Sequence, residues 1–156
     1  MNRRGAMTAE QIAVLLSRSA AGTLATVNPD GSPYAAPVHF VASGGKVLIH
    51  CGYHGRKFDN IRRDGRVCLA VWEMFGLRSD GGEPCRTGTN YESVIITGTA
   101  SVIEDLDRKR SALREFAVKY APDKDAGDIP DEAVKKTCVI EIESSEITGK
   151  RKGDKR

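Results

Sequence analysis

The sequence predicts a mainly β (α+β) domain, a six-stranded antiparallel barrel, closed or split, with helices at its periphery. Three observations lead there. Strand-like runs follow one another through short turns rich in Gly, Pro, Asn and Asp. The helical stretches come singly, before, between and after the strands, instead of alternating with them. Glycine interrupts the longest strand, where a curved wall needs a bulge or bend. At 156 residues the chain is long enough to bury a core without disulfides or structural metal. One domain is expected over residues 8–148, between an N-terminal tail (1–7) and a basic C-terminal tail (149–156).

Thr8-Ala9-Glu10-Gln11 is a capping-box pattern, and Ile12, Leu15 and Leu16 recur behind it at helical spacing, so a docking helix runs from there toward Ser19. From Gly22 the texture changes to Thr23-Leu24-Ala25-Thr26-Val27. Asn28-Pro29-Asp30-Gly31 then specifies a tight reversal into a strand over residues 34–41, and Ser43-Gly44-Gly45 turns the chain into Val47-Leu48-Ile49. Three strands joined this way read as an antiparallel meander. Residues 56–64 form a short helix with Phe58 and Ile61 on one face, ended by Gly65, before Val67-Cys68-Leu69-Ala70-Val71-Trp72 returns to strand. Residues 76–90 lack periodicity and read as a long loop, a class of segment in which functional residues concentrate. A long strand over 91–103 bends at Gly98. Residues 105–120 make a helix with Leu106, Leu113, Phe116 and Ala117 inward, stopped by Pro122, and residues 137–147 supply the last strand.

Composition excludes several classes. The net charge is +3, and much of it lies in Lys150, Arg151, Lys152, Lys155 and Arg156, which read as a solvated tail and not as a nucleic-acid surface. No segment has the length and apolarity of a membrane span, and Arg3 and Arg4 have no apolar run behind them, so a cytoplasmic location is expected. Cys51, Cys68, Cys85 and Cys138 are scattered without a C-x-x-C pair, which suits free thiols in a reducing compartment. His50 and His54 share a face only on a helix, and their segment reads as strand then turn, so no metal site is expected.

The most informative stretch is Ile49-His50-Cys51-Gly52-Tyr53-His54-Gly55-Arg56-Lys57-Phe58, where a strand runs through a glycine-bounded turn into a helix. Unpaired N–H groups and the helix dipole favour an anion at such a start, and Arg56 and Lys57 supply a planar fork and a point charge. Cations in a first turn oppose the dipole, which points to an anion that compensates them.

The order of elements resembles the pyridoxamine 5′-phosphate oxidase-like superfamily, the FMN-binding split barrel. The resemblance rests on Pro29-Asp30-Gly31-Ser32-Pro33-Tyr34, on the junction 50–57 with Phe58-Asp59-Asn60-Ile61-Arg62-Arg63-Asp64-Gly65-Arg66-Val67 behind it, and on Tyr91-Glu92-Ser93-Val94-Ile95-Ile96-Thr97-Gly98. The Gly55-Arg56-Lys57 step and the Cys85 loop before a Tyr-x-Ser-Val strand are similar to the nitroimidazole-resistance (Nim-type) branch. The resemblance implies FMN as cofactor, its phosphate on Arg56 and Lys57, its ring beside Val38, His39, Phe40 and Val41, and its ribityl chain near His50. It also implies that Glu92 and Ser93 reach the cofactor from a neighbouring subunit, in a homodimer with two flavins at the interface. Ala36 and Pro37 stand where the oxidase itself starts its flavin-binding strand with arginine, and the C-terminal elements of its vitamin pocket have no counterpart here.

Reduction of a nitro group needs protons as well as electrons, and His50 is the candidate catalytic donor, since imidazole titrates near neutrality. A purely hydrogen-bonding role for His50 is the plainer alternative. Cys85, between Pro84 and Arg86, is a candidate activated thiol; Trp72 reads as packing at a barrel or dimer seam, and Tyr91 as an interface residue. Three functions follow from the resemblance: an FMN-dependent oxidoreductase acting on nitroaromatic small molecules; a reductase using deazaflavin on the same barrel; and a protein that stores or senses flavin or haem without turnover.

Overall fold

The computed structural model describes residues 5–79, 81–82, 87–125 and 127–153. In chain order the elements are α1 (Ala9–Arg18), β1 (Gly22–Val27), β2 (Pro33–Val38), β3 (Phe40–Ser43), β4 (Lys46–Cys51), α2 (Arg56–Arg63), β5 (Arg66–Arg78), β6 (Gly88–Val102), α3 (Leu106–Tyr120), α4 (Asp131–Lys136) and β7 (Cys138–Lys152). All strand pairings are antiparallel, in one sheet of order β2-β1-β5-β6-β7-β4-β3. This is the mostly-β, open-seamed architecture that the sequence predicts, with a seventh strand and four helices.

The extra strand arises at His39. The stretch 34–41 is not one strand: β2 pairs with β1 at one edge of the sheet, and β3 pairs with β4 at the other. The expected three-strand meander is therefore two hairpins at opposite edges, joined by a single residue. Covalent continuity at that point, and not a hydrogen-bonded ladder, brings the two edges together. The backbone groups beside the break are satisfied from α3. The Phe40 N–H donates to the Tyr120 hydroxyl at 2.9 Å, and that hydroxyl lies 2.8 Å from the Phe40 carbonyl and 3.0 Å from that of Ala20. The Lys119 ammonium donates to the carbonyls of Phe40 (2.9 Å) and Leu16 (3.1 Å).

The main core packs Leu15, Leu24, Phe40, Ile49, Leu69, Val94, Ile96, Ile140 and Ile142 between the curled sheet and α1 and α2, and a second cluster of Val41, Leu48, Ile103, Phe116 and Val139 lies under α3. Val47, Leu48 and Ile49 are all buried because β4 has a core on each face. The Thr8 capping box forms as expected. Gly98 sits at a register shift in the β6–β7 ladder, and a Cβ there would stand 2.2 Å from the Glu143 carbonyl oxygen, so the bend requires glycine.

Other expectations are revised. β5 and β6 each take three residues of the stretch read as a loop, 76–78 and 88–90, which leaves the connection from Ser79 to Thr87. β7 continues through Lys152, because Lys150, Arg151 and Lys152 pair with β6. Leu106 is exposed, since Asp105 caps the helix and places Leu106 in its solvent-facing first turn. Among the described residues no helix is long and apolar enough to cross a membrane.

Tyr120→Phe leaves the buried Phe40 N–H without its acceptor and should destabilise the fold by about 1–3 kcal/mol, a loss that equilibrium urea unfolding reads directly.

Candidate functional site

α2 begins at a glycine for a conformational reason. Gly55, its N-cap, has φ of 101°, a region that side chains disfavour, and no side chain caps the helix. The first-turn N–H groups are thus left facing outward beside Arg56 and Lys57. Among the described residues neither cation has a carboxylate within ion-pairing distance, even though Asp59 lies in the same turn. Arg56 stands 5.1 Å over the Tyr34 ring, and Lys57 is half-buried.

The platform under this turn is rigid. Phe58 and Ile61 enter the main core, and the buried Asn60 amide donates to Thr26 Oγ1 and Asn28 Oδ1, both at 3.0 Å. Arg63 donates to the Val27 carbonyl, so α2 is tied to the β1–β2 hairpin. On the other side of the turn, the His54 ring fills the space a Gly52 side chain would take, with its nearest atom 3.1 Å from the Cβ position. The Tyr53 hydroxyl accepts from Lys109, a lysine only 2% exposed.

His50 and His39 bring imidazoles to the same face. His50 meets Phe116 edge-on at 4.6 Å, His39 stacks on Tyr120 at 4.6 Å, and the two imidazoles are 6.4 Å apart. Both histidines are exposed at the surface. Burial of part of the ring, then the charges of His39 and Lys57, hold His50 below its ordinary 6.5. Lys57 therefore acts electrostatically on His50, and an anion at the helix start would relieve that effect.

The structure groups His39, His50, Arg56 and Lys57 and separates the other expected residues. Val38, Phe40 and Val41 turn their side chains into the core, and the Phe40 backbone is already bonded to Tyr120 and Lys119. Glu92 is buried, with Arg151 3.4 Å away and Arg18 bonded to its other oxygen. Ser93 is opposite Lys150 on β7, whereas His50 is opposite Val139. Those two β7 positions are separated by roughly 36 Å of extended chain, so within one chain Glu92 and Ser93 lie at the far end of the sheet from His50. The Cys85 thiol lies outside the described residues. Lys109 and Tyr120 join the site without having been expected there, Tyr34 and Tyr53 stood in the informative stretches without an assigned role, and Phe116, expected as an inward residue of the 105–120 helix, meets His50 from that position.

The family model described as pyridoxamine 5′-phosphate oxidase matches residues 8–151. The chain belongs to that family. Among solved structures, this pyridoxamine 5′-phosphate oxidase family member is similar to a candidate 5-nitroimidazole antibiotic resistance protein from Bacteroides thetaiotaomicron, with 25% identity, 93% of this chain and 85% of that one covered, and a TM-score of 0.82. A flavocytochrome from Azotobacter vinelandii is 22% identical over 99% of this chain and 73% of its own, with a TM-score of 0.83. The FAD and haem binding protein of Mycobacterium smegmatis is 21% identical over 94% and 72%, with a TM-score of 0.75. The last two share the fold. No curated protein matches the sequence.

Because the folded-state value of His50 is depressed, its contribution to stability is fully present above 6.5 and falls away as the pH drops through the lowered value. In an NMR titration the His50 midpoint should lie below 6.5, and inorganic phosphate should raise it by neutralising Lys57. A midpoint that phosphate leaves in place would separate the helix start from His50.

Proposed function

We propose that this protein is an FMN-dependent oxidoreductase that reduces nitroaromatic small molecules of the 5-nitroimidazole type, working in the cytoplasm as a homodimer. The observation that carries the reading is the pair Arg56 and Lys57, free of carboxylates among the described residues, at an uncapped helix start. That donor set fits a phosphate monoester dianion. Family membership and the likeness to the Bacteroides protein support the flavin and the nitro substrate.

In this reading Arg56 and Lys57 hold the phosphate, with the first-turn N–H groups of α2 completing its hydrogen bonds. The bound flavin supplies the electron or hydride transfer. His39, fixed against Tyr120, presents its imidazole to the same face. His50 holds the proton at a ring nitrogen. Phosphate charge beside Lys57 would offset that cation's part in lowering His50, which would suit His50 to donate to a nitro oxygen.

The placement of Ser93 supports two chains per site, since Ser93 belongs to a cofactor pocket only when a second copy brings it across. Beside it, Trp72, opposite Ser93 on β5, is 64% exposed, and Met74 and Leu77 are exposed on the same strand. An apolar surface of this kind suits a subunit interface, and Trp72→Glu should shift the protein toward monomer in analytical ultracentrifugation.

The purified protein should be yellow and release FMN on denaturation. Arg56→Ala with Lys57→Ala should weaken FMN binding by at least about a hundredfold while leaving riboflavin, which lacks the phosphate, little changed. Equal losses for both ligands, or no FMN uptake by the wild-type protein, would sink the assignment. A Soret band on reconstitution would favour haem.

A further inference from the structure

Two of the four cysteines, far apart in sequence, are brought face to face. Cys51 is the last residue of β4 and Cys138 the first of β7, and the antiparallel register sets them directly opposite one another. Directly opposite residues in such a ladder have Cα atoms about 4.5–5.5 Å apart and project to the same face, which lies within the span a disulfide bridges. Ladder geometry in mid-strand resists the small closing movement that S–S bonding needs. Here both residues are terminal, one running into the Gly52 turn and the other just out of α4, so neither is held by ladder on both sides.

The two thiols differ in ways that assign them roles. Cys51 is half-buried, and Cys138 is fully buried. The S–H of Cys138 donates to the Cys51 sulfur and draws it down to about 7; burial opposes the fall, and Lys57 adds to it. Cys138 is pushed up by the same hydrogen bond and by burial. The charged groups that reach the pair are Lys57 on α2, Lys109 on α3 and Glu104 ahead of α3, two cations against one carboxylate. Burial raises the Cys68 thiol.

We infer that Cys51 and Cys138 form a peroxide-oxidised thiol pair that closes reversibly into a disulfide between β4 and β7. The Cys51 thiolate attacks one oxygen of hydrogen peroxide and the O–O bond breaks. The departing hydroxide takes up the proton that Cys51 released and becomes water, leaving a sulfenic acid on Cys51. The Cys138 sulfur then attacks the Cys51 sulfur: the S–S bond forms, the S–O bond breaks, and the hydroxyl leaves with the Cys138 proton as a second water. Two electrons pass from the two thiols to one peroxide, and an external dithiol reverses the change. The more accessible thiolate starts the reaction, and the shielded thiol beside it resolves the sulfenic acid before further oxidation. A phosphate on Lys57 would weaken only that cation's part in lowering Cys51; the register of the pair and the Cys138 hydrogen bond stand without it.

The test is peptide mapping of the wild-type protein after a brief exposure to hydrogen peroxide and alkylation of the remaining thiols. The expected product is a peptide linking Cys51 to Cys138, lost on treatment with dithiothreitol, with Cys68 still alkylated. Its formation rate should rise with pH through an inflection near 7. In Cys138→Ser the sulfenic acid on Cys51 should persist and be trapped by dimedone, whereas in Cys51→Ser the oxidation of Cys138 should slow by at least about tenfold. Absence of the linked peptide in the wild-type protein, or linkage through Cys68 or Cys85 instead, would overturn the inference without recourse to either variant.

Discussion

The passage of the chain through His39 is the constraint on which the rest of the molecule depends. One residue carries the backbone from edge strand β2 to edge strand β3, and no inter-strand ladder closes the gap between them. An unsupported crossing of this kind would leave buried amide groups unpaired, at a cost comparable to a lost hydrogen bond for each. The end of α3 removes that cost, with Tyr120 and Lys119 serving both backbone groups of Phe40 and tying in the end of α1 as well. Because Phe40 is fixed there, His39 is turned out against the Tyr120 ring and β3 is set beside β4, which brings His50 to the same face.

Electrostatics follow from this placement. The site collects Arg56, Lys57, His39 and His50 around a helix start whose own dipole is positive. Among the described residues the cations paired with carboxylates lie elsewhere, as with Arg18 on Glu73 and Glu92, and Lys46 and Arg108 on Glu141. His50 bears part of the like-charge strain: its affinity for a proton is reduced first by burial of part of the ring and then by the charges of His39 and Lys57. A phosphate dianion would relieve that strain at both the helix and the imidazole.

Features encoded by neighbouring residues were legible in the sequence. The Thr8–Gln11 capping box, the turn after Asn28, the Gly55-Arg56-Lys57 helix start and the bend at Gly98 each depend on a few adjacent side chains and their backbone preferences. What escaped depends on partners that meet only in the fold. Tyr120 meets Phe40 across eighty positions, Lys109 reaches Tyr53 across 56, and Cys51 opposes Cys138 only because β4 pairs with β7 and not with β1. The stretch 34–41 was misread for a related reason: its apolar pattern is continuous through His39, and periodicity carries no mark of a change in pairing partner. Val38, Phe40 and Val41, which the family resemblance sets beside the flavin, turn their side chains into the core, a burial that the sequence pattern around His39 does not announce.

The contiguous segment from His39 to Lys57 has a consequence for how this scaffold diversifies. The hairpin of β5 and β6 projects from the opposite end of the sheet, and its connecting residues share no hydrogen bond with the helix start among the described residues. Changes at that tip would therefore leave the Gly55-Arg56-Lys57 turn of the same chain with its own supports, Asn60 on Thr26 and Asn28 and Arg63 on Val27. Such a division leaves one portion of the polypeptide free to vary while another keeps its shape.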